Sequence, residues 1–359
     1  MRRTTLFVAV VALAATMFIP ASAARVRATV QLARIVRQTR LERRMGVPLF
    51  GVQGRLRDWA GRFSRWAFVR LDRYGVHVLP KRYYSSIPDY TWLEAHPAAW
   101  RDPVPIIGVE WDLEKQLLWL RQTCKDEYLD EVPIERYQEA TEAGPGFPPI
   151  DSQLLHCFVR SYRPQRILEI GGGHSTAVMV NASDLNTREG LAGSDIVTVE
   201  PFAAPGLLRL EGVTVIREPA QLVDESVFER LQTGDLLFID STHAVKTGSE
   251  VLRLLLQVIP SLPEGAYVHI HDVTLPHLYG RSFGRNFFDP QETSLILALL
   301  IHNERLKVLA CSSALSYERP DDLRKVFPGY FPVPPSTWGL GRIEASGMID
   351  GLSMWLVTA

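Results

Sequence analysis

RILEIGGGHST, residues 166–176, is the stretch whose reading decides the fold. Ile167, Leu168 and Ile170 make a short β-rich run, and three glycines follow before a helical pattern begins. Glycine at a strand-to-helix turn lets the backbone approach a ligand closely, and the helix that follows presents unpaired N–H groups. Downstream the alternation continues, with β-rich runs at 195–199, 213–216, 236–239, 266–270, 307–310 and 352–357. Helical patterns fit between them, most visibly at 249–259 and 290–302. Strands that alternate with helices form a parallel sheet covered on both faces. The predicted architecture is therefore α/β, a Rossmann-like, doubly wound and mostly parallel sheet of seven strands with an N-terminal basic helical extension.

Upstream of that stretch the chain is punctuated. AGPGFPP at 143–149 predicts a boundary. Asp151 then reads as the cap of a helix running through Tyr162 and stopped by Pro164. Similarly, Asp289 reads as the cap of the 290–302 helix, with Pro290 at its first position and Glu292 as the acid at its third. Residues 83–119 are rich in Tyr, Trp and Pro and lead into a helix expected from about 113 to 128. The expected divisions are 1–24, a hydrophobic anchor or signal-like segment; 25–82, a basic amphipathic arm; 83–149, an aromatic-rich linker or cap; and 150–359, the α/β domain.

In sheets of this kind ligands sit at the carboxyl ends of the strands, so chemistry is expected just after each run. A dinucleotide fingerprint would want glycine at position 176, which is Thr, and this counts against NAD. Glu200 follows the second run and is suited to accept hydrogen bonds from the ribose hydroxyls of an adenosine. The fourth run ends in Asp240-Ser-Thr-His243 and the fifth in His271-Asp272. Asp240 and Asp272 offer the oxygen ligands a hard cation such as Mg²⁺ prefers, and His243 is suited to general-base work near neutral pH. His269 reads as structural.

The formal net charge of -1 hides an asymmetry. Residues 1–82 hold 17 Lys and Arg, 16 of them Arg, against the three acids Glu42, Asp58 and Asp72. A basic arm on an acidic body points to an anionic partner. Residues 4–24 are uncharged and long enough for the roughly 20 residues of a membrane span, whereas Ala21-Ser22-Ala23 resembles a signal-peptide cleavage site. Seven arginines at 25–44 favour an uncleaved anchor with a cytoplasmic body over export. Leu56, Trp59, Phe63, Trp66 and Leu71 share one arc of a basic helical pattern, the composition of an interfacial helix or of one packed on the body. No zinc-ligand pattern or other nucleic-acid motif accompanies the charge, and nucleic acid is not expected. Cys124, Cys157 and Cys311 are too few and scattered for a disulfide framework.

Residues 166–176, 234–248 (GDLLFIDSTHAVKTG) and 268–276 (VHIHDVTLP) resemble class I S-adenosylmethionine-dependent methyltransferases, in the branch with macrocin-type sugar O-methyltransferases and cephalosporin hydroxylase-like proteins. The resemblance implies an enzyme that methylates a small-molecule or sugar-containing hydroxyl acceptor. It implies that Glu169, Gly171 and Gly173, with Gly172 and Ser175 in the same turn, line the methionine part of S-adenosylmethionine. Glu200 would then hold the ribose, Gln221 would lie near the adenine, and Asp240 would border the cofactor. It also implies Mg²⁺ on Asp240 and the acids after the fifth strand, with His243 as base; here the first of those later positions is His271. Two readings from other classes stay open: an Fe(II) oxygenase using His243, His271 and a carboxylate, and a non-catalytic membrane-associated module that keeps the cofactor pocket.

Overall fold

The computed structural model describes residues 65–77, 87–132, 141–142, 147–279, 291–330 and 351–359. The chain divides into two compact units, Met1–Asp89 and Tyr90–Ala359. In the first, residues 65–72 are helical, with Ala67 buried and Trp66 and Val69 exposed. The hydrophobic run 4–24, the arginines of 25–44 and the start of the amphipathic pattern lie outside the described residues. Among the described residues no helix is long and apolar enough to cross a membrane.

The second unit is built on seven strands: β1 Arg166–Ile170, β2 Asp195–Val199, β3 Val213–Ile216, β4 Leu236–Ile239, β5 Tyr267–Ile270, β6 Leu306–Cys311 and β7 Met354–Thr358. Their order is β3-β2-β1-β4-β5-β7-β6. β1 to β5 run parallel, and β7 lies antiparallel between β5 and β6. All seven expected strands form, with ends moved by a residue or two. β7 starts later than its apolar run because the Leu352 N–H is donated to the Asp151 carboxylate and the Ser353 carbonyl accepts from Ser312 N–H. Strand order reverses between β1 and β4, which makes the carboxyl ends of β1, β4 and β5 the crevice where such sheets hold ligands.

Alternate residues of each parallel strand feed two cores. Leu168, Ile170, Leu237, Ile239, Val268 and Ile270 pack with the 250–261 helical segment and the Glu292–Leu300 helix. Ile167, Leu236 and Phe238 pack with the helices Leu113–Thr123, Pro149–Tyr162 and His174–Arg188. Burial on both faces explains why the strands read as continuous apolar runs without polar alternation.

Four local expectations are corrected. The 113–128 helix ends at Thr123, and a separate turn, Asp126–Leu129, follows. The Leu113–Thr123 helix belongs to the body and not to a linker: Leu117 and Leu120 are wholly buried, and Gln116 Oε1 accepts the Cys311 N–H of β6 at 2.9 Å. The compact unit accordingly begins at Tyr90, and Phe147, inside the Gly/Pro-rich stretch, is part of the core. The 249–259 helix is Glu250–Arg253 followed by a π turn, Leu254–Val258, in which Ile259 N–H reaches back to Leu254 O. Pro260, which has no N–H to donate and crowds the preceding turn, accounts for that widening. Finally, Asp151 does not cap its helix, whose N-cap is Pro148. Asp151 lies within the first turn of Pro149–Tyr162 and is buried, and Asp289 falls outside the described residues.

Candidate active site

The turn after β1 is tight for a reason internal to the protein. Gly171 sits at φ +92°, and a Cβ there would lie 1.7 Å from the Asp240 carbonyl oxygen. At Gly172 a Cβ would meet Thr198 Oγ1 at 2.4 Å. The first two glycines thus let the ends of β1, β2 and β4 close on one another, which brings Asp240 beside the turn. Gly173 starts the His174–Arg188 helix, and its N–H donates to Thr176 Oγ1 at 2.9 Å. Glu169 is fully buried and accepts from Ser175 Oγ at 2.6 Å and Thr176 Oγ1 at 2.5 Å. Burial pushes its carboxyl up to about 7 against the pull of those hydroxyls. Glu169 and Ser175 are therefore spent on each other, an acid bracing the first turn of a helix where the dipole favours negative charge.

Four predicted residues converge at the ends of β4 and β5. His243 Nε2 lies 3.3 Å from Asp240 Oδ1 and 3.4 Å from Asp272 Oδ2. His271 Nδ1 lies 3.7 Å from Asp240 Oδ1 and 3.5 Å from Asp272 Oδ1. Two imidazoles and two carboxylates thus alternate around a square. His243 and Asp272 both hold left-handed backbone, φ +55° and +56°, a conformation uncommon outside glycine and concentrated at functional sites.

Each imidazole is gripped from behind by a further acid whose role had no local signal in the sequence. Glu292, read as a helix-start acid, places Oε2 2.7 Å from His243 Nδ1 and is buried. Asp151, read as a cap, places Oδ2 3.6 Å from His271 Nε2. Burial opposes the charge on His243, yet hydrogen bonds to Asp240 and Glu292 and the charges of Glu292 and Asp272 hold its pKa well above the ordinary imidazole value. His271 behaves in the same way: burial is outweighed by Asp240, Asp151 and Asp272, and its pKa is pushed up to about 9. Both acids come from helices remote in sequence, so only the packing brings them in. His269, by contrast, is fully buried, bonds Ser353 Oγ at 2.8 Å and is driven down to about 3, a neutral structural residue.

Glu200 follows β2, and its Oε1 accepts the Phe202 N–H at 2.8 Å, a local turn. Gln221 lies nearer β4, with Nε2 at 3.2 Å from Gly248 O and 3.3 Å from Glu250 Oε2. Glu250 in turn accepts from Thr242 N–H at 3.0 Å and from its hydroxyl, which fixes the loop between Asp240 and His243. A separate groove lined by Glu225, Phe228, Gln257 and Leu262 lies at the amino ends of β4 and β5, away from this chemistry. Its Arg253 guanidinium is occupied by Ala220 O and Val223 O.

The residues do not fit the divalent-ion site that the resemblance implies. Among the described residues no three His, Cys, Asp or Glu side chains are disposed to hold a metal. The Asp240 and Asp272 oxygens already face imidazoles, and His271, buried where an acid was implied, has a carboxylate at both ring nitrogens. A ring that carries a proton on both nitrogens to face those carboxylates has no lone pair for a metal. The same donor geometry counts against a His243/His271 iron triad.

Residues 168–273 match a family described as a methyltransferase domain, and the sheet has the β3-β2-β1-β4-β5-β7-β6 order with antiparallel β7. Residues 168–273 carry a methyltransferase domain on a Rossmann-like sheet. The match to the methyltransferase family spans β1 to just past His271-Asp272, and so contains every predicted site residue. An uncharacterized protein of Archaeoglobus fulgidus is 28% identical over 166 residues, covering 43% of this chain and 73% of its own. Among solved structures, the methyltransferase domain is similar to the SAH-bound methyltransferase of Podospora anserina, at 16% identity and TM-score 0.36 over 79% of this chain and 99% of that one. It is also similar to an O-methyltransferase of Bacillus cereus in complex with SAH, at 18% identity and TM-score 0.35 over 69% and 98%. The family match and the strand order carry the assignment.

Proposed function

We infer that this methyltransferase domain transfers the methyl group of S-adenosylmethionine to a hydroxyl of a small-molecule or sugar-containing acceptor. The observation that carries this reading is the square of Asp240, His243, His271 and Asp272 beside the glycine turn at the strand-order reversal. Glu200 is suited to the ribose, since among the described residues only its Oε1 is engaged, and Gln221 to the adenine edge. The turn at Gly171–Gly173 and Asp240 would border the methionine end. Bound there, S-adenosylmethionine supplies an electrophilic methyl on a sulfonium, whose positive charge suits an edge lined by carboxylates.

A hydroxyl is a weak nucleophile until it sheds its proton, and His243 Nε2 is the group this domain turns toward the crevice to receive it. Glu292 on Nδ1 holds the ring in register. The carboxylates of Glu292, Asp240 and Asp272 around both nitrogens stabilise the proton that His243 takes up. Alignment of acceptor and methyl supplies much of the remaining rate. The Asp240-Ser-Thr-His243 and His271-Asp272 pairs favour the macrocin-type branch. The arginine-rich arm supports tethering to anionic lipid, to be tested by fractionating the full chain against one starting after residue 82.

Titration calorimetry with S-adenosylhomocysteine tests the reading. We expect binding by the full chain and at least about a tenfold loss in Glu200→Ala, the size of a charge-assisted hydrogen bond. No heat with the intact protein would overturn it.

A further inference from the structure

We propose that this site is neutralised by its own side chains and works without a divalent cation, with His271 standing where the metal would have been held. The argument is geometric. His271 comes from the end of β5 and is buried with carboxylates at both ends of its ring: Asp151 on the Pro149–Tyr162 helix, and Asp240 and Asp272 after β4 and β5. Among the described residues neither ring nitrogen has a hydrogen-bond partner, so the ring meets these carboxylates as a charge at 3.5 to 3.7 Å. An imidazole so placed neutralises both flanks only when both nitrogens carry a proton. Asp151 requires it there, because a wholly buried carboxylate is costly without a counter-charge, and the Leu352 N–H and the Ser312 and Ser353 hydroxyls that also meet it are neutral.

His243 repeats the arrangement from the other side, with Glu292 on one nitrogen and Asp240 and Asp272 on the other. Glu169, the acid before the glycine turn, is closed off by Ser175 and Thr176, and His269 faces Ser353. The oxygens of Asp240 and Asp272 that would take a cation are thus already shared between two imidazoles. A divalent ion entering between them would sit against His271, whose departure would strand Asp151.

The inference rests on side-chain placement and stands apart from the cofactor reading. S-adenosylhomocysteine calorimetry on the same samples reports on the latter. The test is titration of Mn²⁺ into the full-length protein, followed by electron paramagnetic resonance of the free ion, with Mg²⁺ calorimetry in parallel. The wild type is expected to show no binding that Asp240→Asn or Asp272→Asn removes. His271→Asp, which supplies a third carboxylate, is expected to gain Mn²⁺ affinity by at least about tenfold, the scale on which metal sites respond to a changed neighbour. Because His271→Asp also leaves Asp151 facing a like charge, the double variant Asp151→Asn/His271→Asp is measured beside it. Wild-type Mn²⁺ binding that is lost in Asp272→Asn would overturn the proposal, as would failure of the folded double variant to bind more tightly than wild type.

Discussion

Two clusters of buried charge in the same domain are built to different standards. On the Pro149–Tyr162 helix, Arg160 donates to Glu131 Oε2 at 2.9 Å, to Glu189 Oε1 at 2.6 Å and to Asn186 Oδ1, while His156 bonds Glu131 at 3.0 Å. At the crevice the comparable distances run from 3.3 to 3.7 Å, apart from the Glu292–His243 bond, and both nitrogens of His271 and Oε1 of Glu292 lack a hydrogen-bond partner. The first cluster is tightly bonded, with only His156 Nδ1 left without a partner among the described residues, and joins residues from three segments. The second is held loosely, with polar atoms in reserve and two residues in left-handed backbone. Buried polar groups left short of partners are expensive, and they persist where a ligand or a reaction uses them. One cluster should therefore govern stability and the other turnover.

The largest effect is expected where the two roles meet, at the turn that seats the crevice. Gly171→Ala drives a Cβ into the Asp240 backbone, so a loss of more than about 4 kcal/mol or no folded protein is expected in denaturant titration. His243→Ala comes next. Labelled methyl transfer per folded molecule to acceptors in a cell extract should fall about 100- to 10,000-fold, while S-adenosylhomocysteine affinity stays near wild type. Equal transfer by wild type and variant would break the comparison on the crevice side.

Arg160→Leu tests the other side. It strands Glu131 and Asn186 and should cost about 3 kcal/mol in urea unfolding, the low end for a buried pair because Glu189 is half exposed, with turnover per folded molecule unchanged. A turnover loss matching that of His243→Ala would show that the clusters are not separable. The smallest effect is the pH dependence of the thermal midpoint. The folded His271 is raised from 6.5 to about 9 and so keeps a proton that the unfolded chain releases. Its contribution is fully present below pH 6.5 and is lost as pH rises through about 9. The midpoint should fall across that window, and less steeply in His271→Asn.

The strands were legible because a sheet buried on both faces writes itself as apolar runs between helical patterns, and even β7, whose neighbours are antiparallel, appears as such a run. The first halves of the site pairs were legible for the same reason: residues directly after parallel strands land on one edge. Less was legible at Glu292 and Asp151. Each satisfies a local rule, an acid in the first turn of a helix, and that rule hides the partner it meets in space. Gly and Pro at 143–149 signal a turn, and that signal hides that Phe147 between them is a core residue.

By itself the sequence determined the class of fold and the sheet edge at which Asp240, His243, His271 and Asp272 gather, because strand periodicity and chain order fix which residues follow which strand. Only the tertiary structure decided what those residues are to one another. Whether a carboxylate faces a cation, a metal or an imidazole depends on side chains delivered by helices tens to over a hundred residues away. In a buried site the stable charge state is a property of the whole cluster and not of any one residue.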